Sequence, residues 1–179
     1  MGDFQKLVSQ AKQGDTDAFA RLYETVYQDM YRFALYTLKD PEDAKDVVSE
    51  TVADAFAGIR RLRREEAFKG WIFKILSNKC RQVLSSYRKK TAELTEAALD
   101  EASRSLAAYA ASQRMDEAES AVIRSMFFSL PAEERLIIAL HLFGGYSSKE
   151  MARMLHMNEN TLRSRQSRAL KRLAEQMKD

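Results

Sequence analysis

Apolar side chains recur along this chain at intervals of three and four residues, the spacing that lines one face of an α-helix. Residues 4–13 carry the first such face, and Gly14 stands where a helix would end in a left-handed cap. Asp15 can cap a longer helix whose apolar side holds Phe19, Leu22, Tyr23, Val26, Tyr27, Met30, Phe33, Ala34 and Leu38. Asp40-Pro41 restarts the pattern. A carboxylate there can accept from the free amides of the first turn, and proline suits the first helical position. The next helix is expected to bury Ala44, Val47, Val48, Thr51 and Ala55, with Asp43, Asp46, Glu50 and Asp54 forming an acidic stripe. A basic stretch, GIRRLRREEA, interrupts the periodicity, and helix resumes from Phe68 to about Lys90.

Residues 91–113 lose the large apolar positions and become rich in Ala, Ser and Glu. They hold too little apolar surface for a core of their own, so they are expected to tether two units rather than form one. Helical spacing returns from about residue 114 with Ala118, Val122, Met126 and Phe127 on one helix. Leu130-Pro131 then opens another, carrying Leu136, Ile137, Leu140 and Leu142. The pattern predicts an all-α chain of two small helical domains, 1–90 and 114–179, joined by a flexible linker.

The last stretch is the most informative. Ser147-x-x-Glu150 has the form of a capping box, and Met151, Ala152 and Leu155 give that short helix a buried face. His156-Met157-Asn158 makes a brief turn, and Asn158 can cap the final helix. Two helices joined this way, the second basic, form a helix-turn-helix. At 100° per residue, Leu162, Ala169, Leu170, Leu173 and Met177 fall on the core side of the final helix. Asn160, Arg163, Ser164, Ser167, Arg168 and Lys171 point away from it. Arginine and asparagine have forked groups that suit base edges in a major groove, and Arg165 and Arg172 lie at the flank, towards phosphates.

Composition agrees with helix, since Gly and Pro number only six and two. The net charge of +3 conceals its distribution. Residues 58–90 carry 11 basic and 2 acidic groups, and residues 136–179 carry 8 and 4. Each basic block follows an acidic one, which suggests a polyanion held at two places. One cysteine excludes a disulfide framework, and Cys80 is expected to be a small buried residue. No basic region precedes an apolar run at the N-terminus, and LIIALHLF is too short to span a bilayer, so the chain is expected to be cytoplasmic without membrane insertion. His141 and His156 lack an accompanying nucleophile or acid, so no catalytic residue, metal ligand or cofactor is expected. His141 is placed in a core helix.

Four blocks in order resemble the extracytoplasmic-function (group 4) sigma factors of the sigma-70 superfamily. Asp40-Pro41-Glu42-Asp43-Ala44-Lys45-Asp46-Val47-Val48-Ser49-Glu50-Thr51 is similar to that family's polymerase-docking helix. Residues 68–78, FKGWIFKILSN, resemble the block preceding −10 recognition. LPAEER (residues 130–135) resembles the opening of sigma domain four, and TLRSR (161–165) with Arg168-Ala169 its −35 reading helix. The resemblance covers nearly the whole chain. It implies core RNA polymerase as a partner, through its clamp and flap regions, together with promoter DNA. Members of the family are commonly held inactive by an anti-sigma factor, which is the third partner implied.

By the same resemblance, Asp46, Ser49 and Glu50 would meet the polymerase clamp, while Asp43 and Asp54 are expected to be merely solvated. The loop from Arg60 to Glu66 would hold an extruded base, with Leu62 at the pocket, Arg60, Arg61, Arg63 and Arg64 on its rim, and Asn78 on the following helix. Lys79, Arg81, Arg88, Lys89 and Lys90 would track phosphates. Trp71 is expected to pack in the core. In the final helix, Asn160, Thr161, Arg163, Ser164, Arg165, Ser167, Arg168 and Lys171 would contact the −35 element. The competing reading is a stand-alone helix-turn-helix regulator binding duplex operators. It accounts for the last helix, but neither for the acidic docking helix nor for the second basic block.

Overall fold

The computed structural model describes residues 2–91 and 117–177. Apart from Thr91, the expected tether of residues 91–113 lies outside the described residues. The N-terminal unit contains α1 (Asp3–Lys12), α2 (Thr16–Leu38), α3 (Pro41–Gly58) and α4 (Phe68–Thr91). Two short 3-10 turns, Ile59–Arg61 and Glu65–Ala67, join α3 to α4. The C-terminal unit contains α5 (Glu117–Ser129), α6 (Ala132–Leu142), α7 (Ser148–Met154) and α8 (Glu159–Gln176). No strand occurs among the described residues.

The caps stand where the local chemistry put them. Asp15 accepts from the Ala18 amide at 2.9 Å and starts α2, and Asp40 accepts from the amides of Glu42 and Asp43, each at 2.9 Å. Gly14 has φ +101, a conformation that a side chain would strain. One left-handed residue gave no warning: Lys39 closes α2 at φ 63, its amide donating to the Leu35 carbonyl at 2.8 Å.

The core of the N-terminal unit is built on α2, which packs against α1, α3 and α4. Phe33, Phe68, Ile72, Phe73 and Leu76 are fully buried there, with the Phe33 and Phe73 rings edge-to-face at 5.8 Å. Trp71 is half-buried against this core, tilted over Phe68, as expected. Cys80 is fully buried. Desolvation pushes its thiol well above the ordinary range, which removes the reactive thiolate.

At the C-terminal end of α2 the one-faced pattern breaks. Phe33, Ala34, Leu35, Tyr36, Thr37 and Leu38 are all buried, so the helix is covered on every side. The same is true of Leu136, Ile137, Ile138, Ala139 and Leu140 on α6. A helix apolar all round needs neighbours all round, and α6 packs against α2, α4 and α8. The two units therefore share one continuous core.

Several expected core positions are solvent-facing instead. Leu142 and Val122 are more than half exposed, while His141, in the core helix α6 as expected, has its side chain on the surface with Nδ1 3.1 Å from the Tyr146 carbonyl. Leu142 falls in the last turn of an eleven-residue helix, on its solvent side. Leu170 and Met177 are 44% and 76% exposed, against an expectation of burial. Leu170 is one step of 100° beyond the buried Ala169, and the eighteen residues of α8 outrun the shorter α6 beneath them.

Candidate functional site

The helix-turn-helix is assembled by local bonds. Ser147 and Glu150 form the capping box, the Ser147 amide donating to the Glu150 carboxylate at 2.9 Å. His156 takes φ 52, the left-handed turn that its position demands, and the Met157 amide returns to the Ala152 carbonyl at 2.9 Å. Asn158 caps α8 through the Asn160 amide at 2.9 Å. The Ser148 hydroxyl donates to Gln166 at 2.9 Å and sets α7 against α8.

Burial of Leu162 and Ala169 orients α8, leaving Asn160, Thr161, Arg163, Ser164, Ser167, Arg168 and Lys171 exposed on its outer surface. Arg163 pairs with Glu159 one turn earlier at 2.6 Å, a solvent-exposed bond that a phosphate or base could replace at little cost. Arg168 leans back on the Ser164 carbonyl at 3.4 Å. Two other arginines are held by acids of α6. Arg165 pairs with Glu133 of α6, and Arg172 pairs with the nearly buried Glu134 at 3.0 Å. The basic residues of α8 are thus of two kinds: an outward set bonded, where at all, only within α8, and a pair that fastens the helix to α6.

The stretch from Arg60 to Glu66 runs through the two 3-10 turns. Arg60, Arg61, Arg63 and Arg64 are exposed, and Arg64 bonds Glu66 at 2.6 Å. Lys12 of α1 holds Glu65 at 2.6 Å and so anchors the loop to the body. Leu62 is buried, which turns its side chain inward, at the wall of a groove of about 650 Å³. Trp71, Tyr146 and Met154 also line that groove.

On α4, Asn78, Arg88 and Lys89 are exposed and Arg81 is half-buried, whereas the Lys90 side chain lies outside the described residues. Arg81 donates to the Met154 carbonyl at 3.3 Å, and Arg88 pairs with Glu133 at 3.4 Å. Asn78, Arg81 and Arg88 line a second groove of about 670 Å³, whose other walls are Leu136, Leu155, Met157 and Arg165. Lys79 departs from this group. It reaches to α3 instead, bonding Asp54 at 2.8 Å and Glu50 at 3.2 Å. Asp54 first, then Glu50, holds its ammonium above the ordinary lysine range.

Asp46, Ser49 and Glu50 sit together on the exposed outer side of α3. The two carboxylates expected to be merely solvated are engaged: Asp54 by Lys79, and Asp43 by the Tyr87 hydroxyl of α4. Both bonds brace α3 against α4. Periodicity could not separate them from Asp46, because all four acids share one stripe and only the neighbouring helix tells them apart.

Residues that join the units had no motif to announce them. Arg135 is 7% exposed and donates to the Thr37 and Leu130 carbonyls. Tyr146 donates to the Gly70 carbonyl. Tyr36 stacks on Phe127 at 5.0 Å and meets Phe143 at 5.7 Å. The available signal was the pair of stretches FALYTL and LIIAL, each too apolar for a helix with one solvated side.

Among the described residues no helix is long and apolar enough to cross a membrane. The family model for the ECF sigma factor matches residues 1–179. ECF RNA polymerase sigma factor SigM of Mycobacterium tuberculosis is 30% identical over 162 residues, covering 90% of this chain and 78% of that protein. RNA polymerase sigma factor SigV of Bacillus subtilis is 27% identical over 144 residues, covering 80% and 81%. Two solved structures share the fold, each with a TM-score of 0.64. CnrH in complex with the cytosolic domain of CnrY is 23% identical and covers 98% of this chain and 97% of its own. RpoE of Bartonella quintana in complex with the anti-sigma factor NepR is 22% identical and covers 89% and 96%. With the whole chain matched and the acidic helix α3, the basic loop and the helix-turn-helix in their order, the chain belongs to the ECF sigma factors, alternative sigma factors that direct transcription initiation with RNA polymerase.

Proposed function

We propose that this sigma factor grips promoter DNA at two places, with residues 114–179 reading the −35 element and residues 1–90 reading the −10 element and docking on core polymerase. The observation that carries this reading is the outer face of α8. Seven polar or basic side chains stand exposed behind a capped turn, while Arg165 and Arg172 are already fastened to α6. Arg163, Ser164 and Arg168 contact base edges near the N-terminal half of that helix, and Lys171 meets phosphate.

On the N-terminal unit, Arg60, Arg61, Arg63 and Arg64 form a basic rim for single-stranded DNA, with Leu62 at its inner wall and Asn78, Arg81 and Arg88 along α4. Asp46, Ser49 and Glu50 dock on a basic surface of the polymerase clamp. Lys79 serves this arrangement indirectly, by holding α4 against the same acidic stripe. The chain works in the cytoplasm, as a binding protein without a catalytic centre. An anti-sigma factor is its regulatory partner, as for the Bartonella quintana protein solved with NepR.

Run-off transcription with purified core polymerase over a promoter library tests the reading. Initiation at a subset of sequences, lost on Arg163→Ala, is the expected result. No initiation at any promoter, combined with tight binding of the chain alone to duplex DNA, would favour a stand-alone regulator.

A further inference from the structure

We infer that α1 is a splint for the loop of residues 60–66, and that Lys12 is a positioning residue for −10 reading, because its ion pair with Glu65 fixes the second 3-10 turn against the body. The inference rests on the promoter reading above for the role of that loop.

The two turns are not held in the same way. The Leu62 amide donates to the Ile59 carbonyl at 3.0 Å and closes the first, and the Ala67 amide donates to the Arg64 carbonyl at 3.1 Å and closes the second. Among the described residues no backbone bond links one turn to the other. The first turn is seated by apolar side chains, since Ile59 and Leu62 are buried. The second, Glu65–Ala67, buries none of its residues. Apolar contact of its own therefore cannot set its place, and that task falls to a charge.

Lys12 Nζ lies 2.6 Å from Glu65 Oε1, and the two side chains are only 23% and 25% exposed. Water and salt screen such a pair less than the open Arg64–Glu66 bond beside it, whose side chains are 75% and 49% exposed. The bond from Lys12 is also the first cause of the Glu65 carboxyl lying below the usual glutamate range. Lys12 is itself firmly placed, in the last turn of a helix whose Val8 and Ala11 are buried.

α1 meets the loop twice more. The Phe4 ring lies edge-on to Phe68, the residue after the second turn, at 5.9 Å. Past the other end of α1, a Cβ on Gly14 would lie 3.2 Å from Arg60 Nη2. That rim arginine thus rests by the carbonyl end of α1, where a cation is favoured. The helix reaches the loop at its entry, in its second turn and beside its exit. Arg63 and Arg64 bridge the seated turn and the tied one, next to Leu62 at the groove wall. If the tie is cut, the second turn shifts against the first and a base held between them loses its register. The rim charge stays, so the strand is still attracted, and discrimination between bases is what falls.

The test uses the full chain with core polymerase and promoters from the run-off library, each changed one base at a time through the −10 and −35 elements. Lys12→Met cuts the tie and keeps an apolar stem, and Lys12→Glu combined with Glu65→Lys rebuilds the pair in reverse. Preference for the best −10 base over its alternatives should fall about fivefold in Lys12→Met and return to within about twofold of wild type in the reversed pair. Preference at −35, polymerase affinity and melting temperature of Lys12→Met should match wild type. An unchanged −10 preference in Lys12→Met overturns the inference. So does a loss spread equally over both elements, or one that the reversed pair fails to restore, since either marks general structural support. A wild-type chain that initiates at no promoter overturns the promoter reading instead. Exchange of the Ala67 amide, faster in Lys12→Met and slowed again by the reversed pair, then still supports the tie, and unchanged exchange overturns it.

Discussion

Arg135 of α6 closes the C-terminal end of α2 from the other unit, donating to the Thr37 carbonyl through Nε at 3.3 Å and Nη2 at 3.2 Å. Its Nη1 donates to the Leu130 carbonyl at 2.6 Å. The guanidinium is nearly buried, and desolvation draws it down to about 10. The carbonyls at the end of a helix carry partial negative charge, which lets a cation lie there in place of a carboxylate partner.

Replacing Arg135 with Met keeps much of the volume and removes every donor. Two buried carbonyls then lose their partners, and the full chain should lose about 1–3 kcal/mol. Urea unfolding of the intact protein measures it, and an unchanged midpoint would remove Arg135 from the account of how the units are joined.

The arginines of α8 should separate by phenotype. Arg163→Ala and Arg168→Ala should weaken −35 duplex binding by about 1–3 kcal/mol each and relax sequence preference, with unfolding unchanged. Arg172→Ala should do the reverse, because its partner Glu134 is nearly buried and would be stranded. Binding isotherms and thermal melts on the three variants decide it.

The acidic stripe of α3 should likewise divide. Glu50→Lys should reduce affinity for core polymerase by about tenfold or more, since it sets a second cation beside Lys79 and repels a basic surface. Asp54→Asn should leave polymerase affinity near wild type while loosening α4, seen as faster amide exchange around Lys79. Equal loss of affinity in both variants would show that the whole stripe docks.

The Ser147 hydroxyl and amide hold the Glu150 carboxyl below the usual glutamate range. A lowered pKa in the folded chain means that this capping box stabilises in full above the unfolded glutamate range and fades as pH falls through the folded value. The stability difference between wild type and Glu150→Gln should therefore shrink steadily below about pH 4.5. A difference that stays constant to low pH would mean that charge plays no part in the cap.

Cys80 should resist alkylation in the native chain and react fully once the chain is unfolded, because its thiol is buried and its pKa raised. Rapid native labelling would show that α4 opens on the labelling timescale.

The caps, turns and helix order were legible because each depends on a few neighbouring residues. Asp15, Asp40, Ser147 and Asn158 cap the helices that follow them, for reasons contained within four residues of each. The outward side of α8 was legible for the same reason, since Leu162 and Ala169 orient the whole helix. Periodicity was less able to say where a helix outruns its neighbour, which is why Leu170 and Met177 were misplaced.

By itself, the sequence determined the helices, their caps, the helix-turn-helix and the alternation of basic and acidic blocks, because these follow from short-range geometry and local charge. Only the tertiary structure decided which charged residues are free and which are fastened. Asp43, Asp54, Lys79, Arg165 and Arg172 each meet a partner between 25 and 44 positions away only in the folded chain, and a side chain's role in a charged stripe depends on what packs opposite it. The meeting of FALYTL with LIIAL is of the same kind. Each stretch announces that it must be covered all round, and only the packed chain shows that they cover one another.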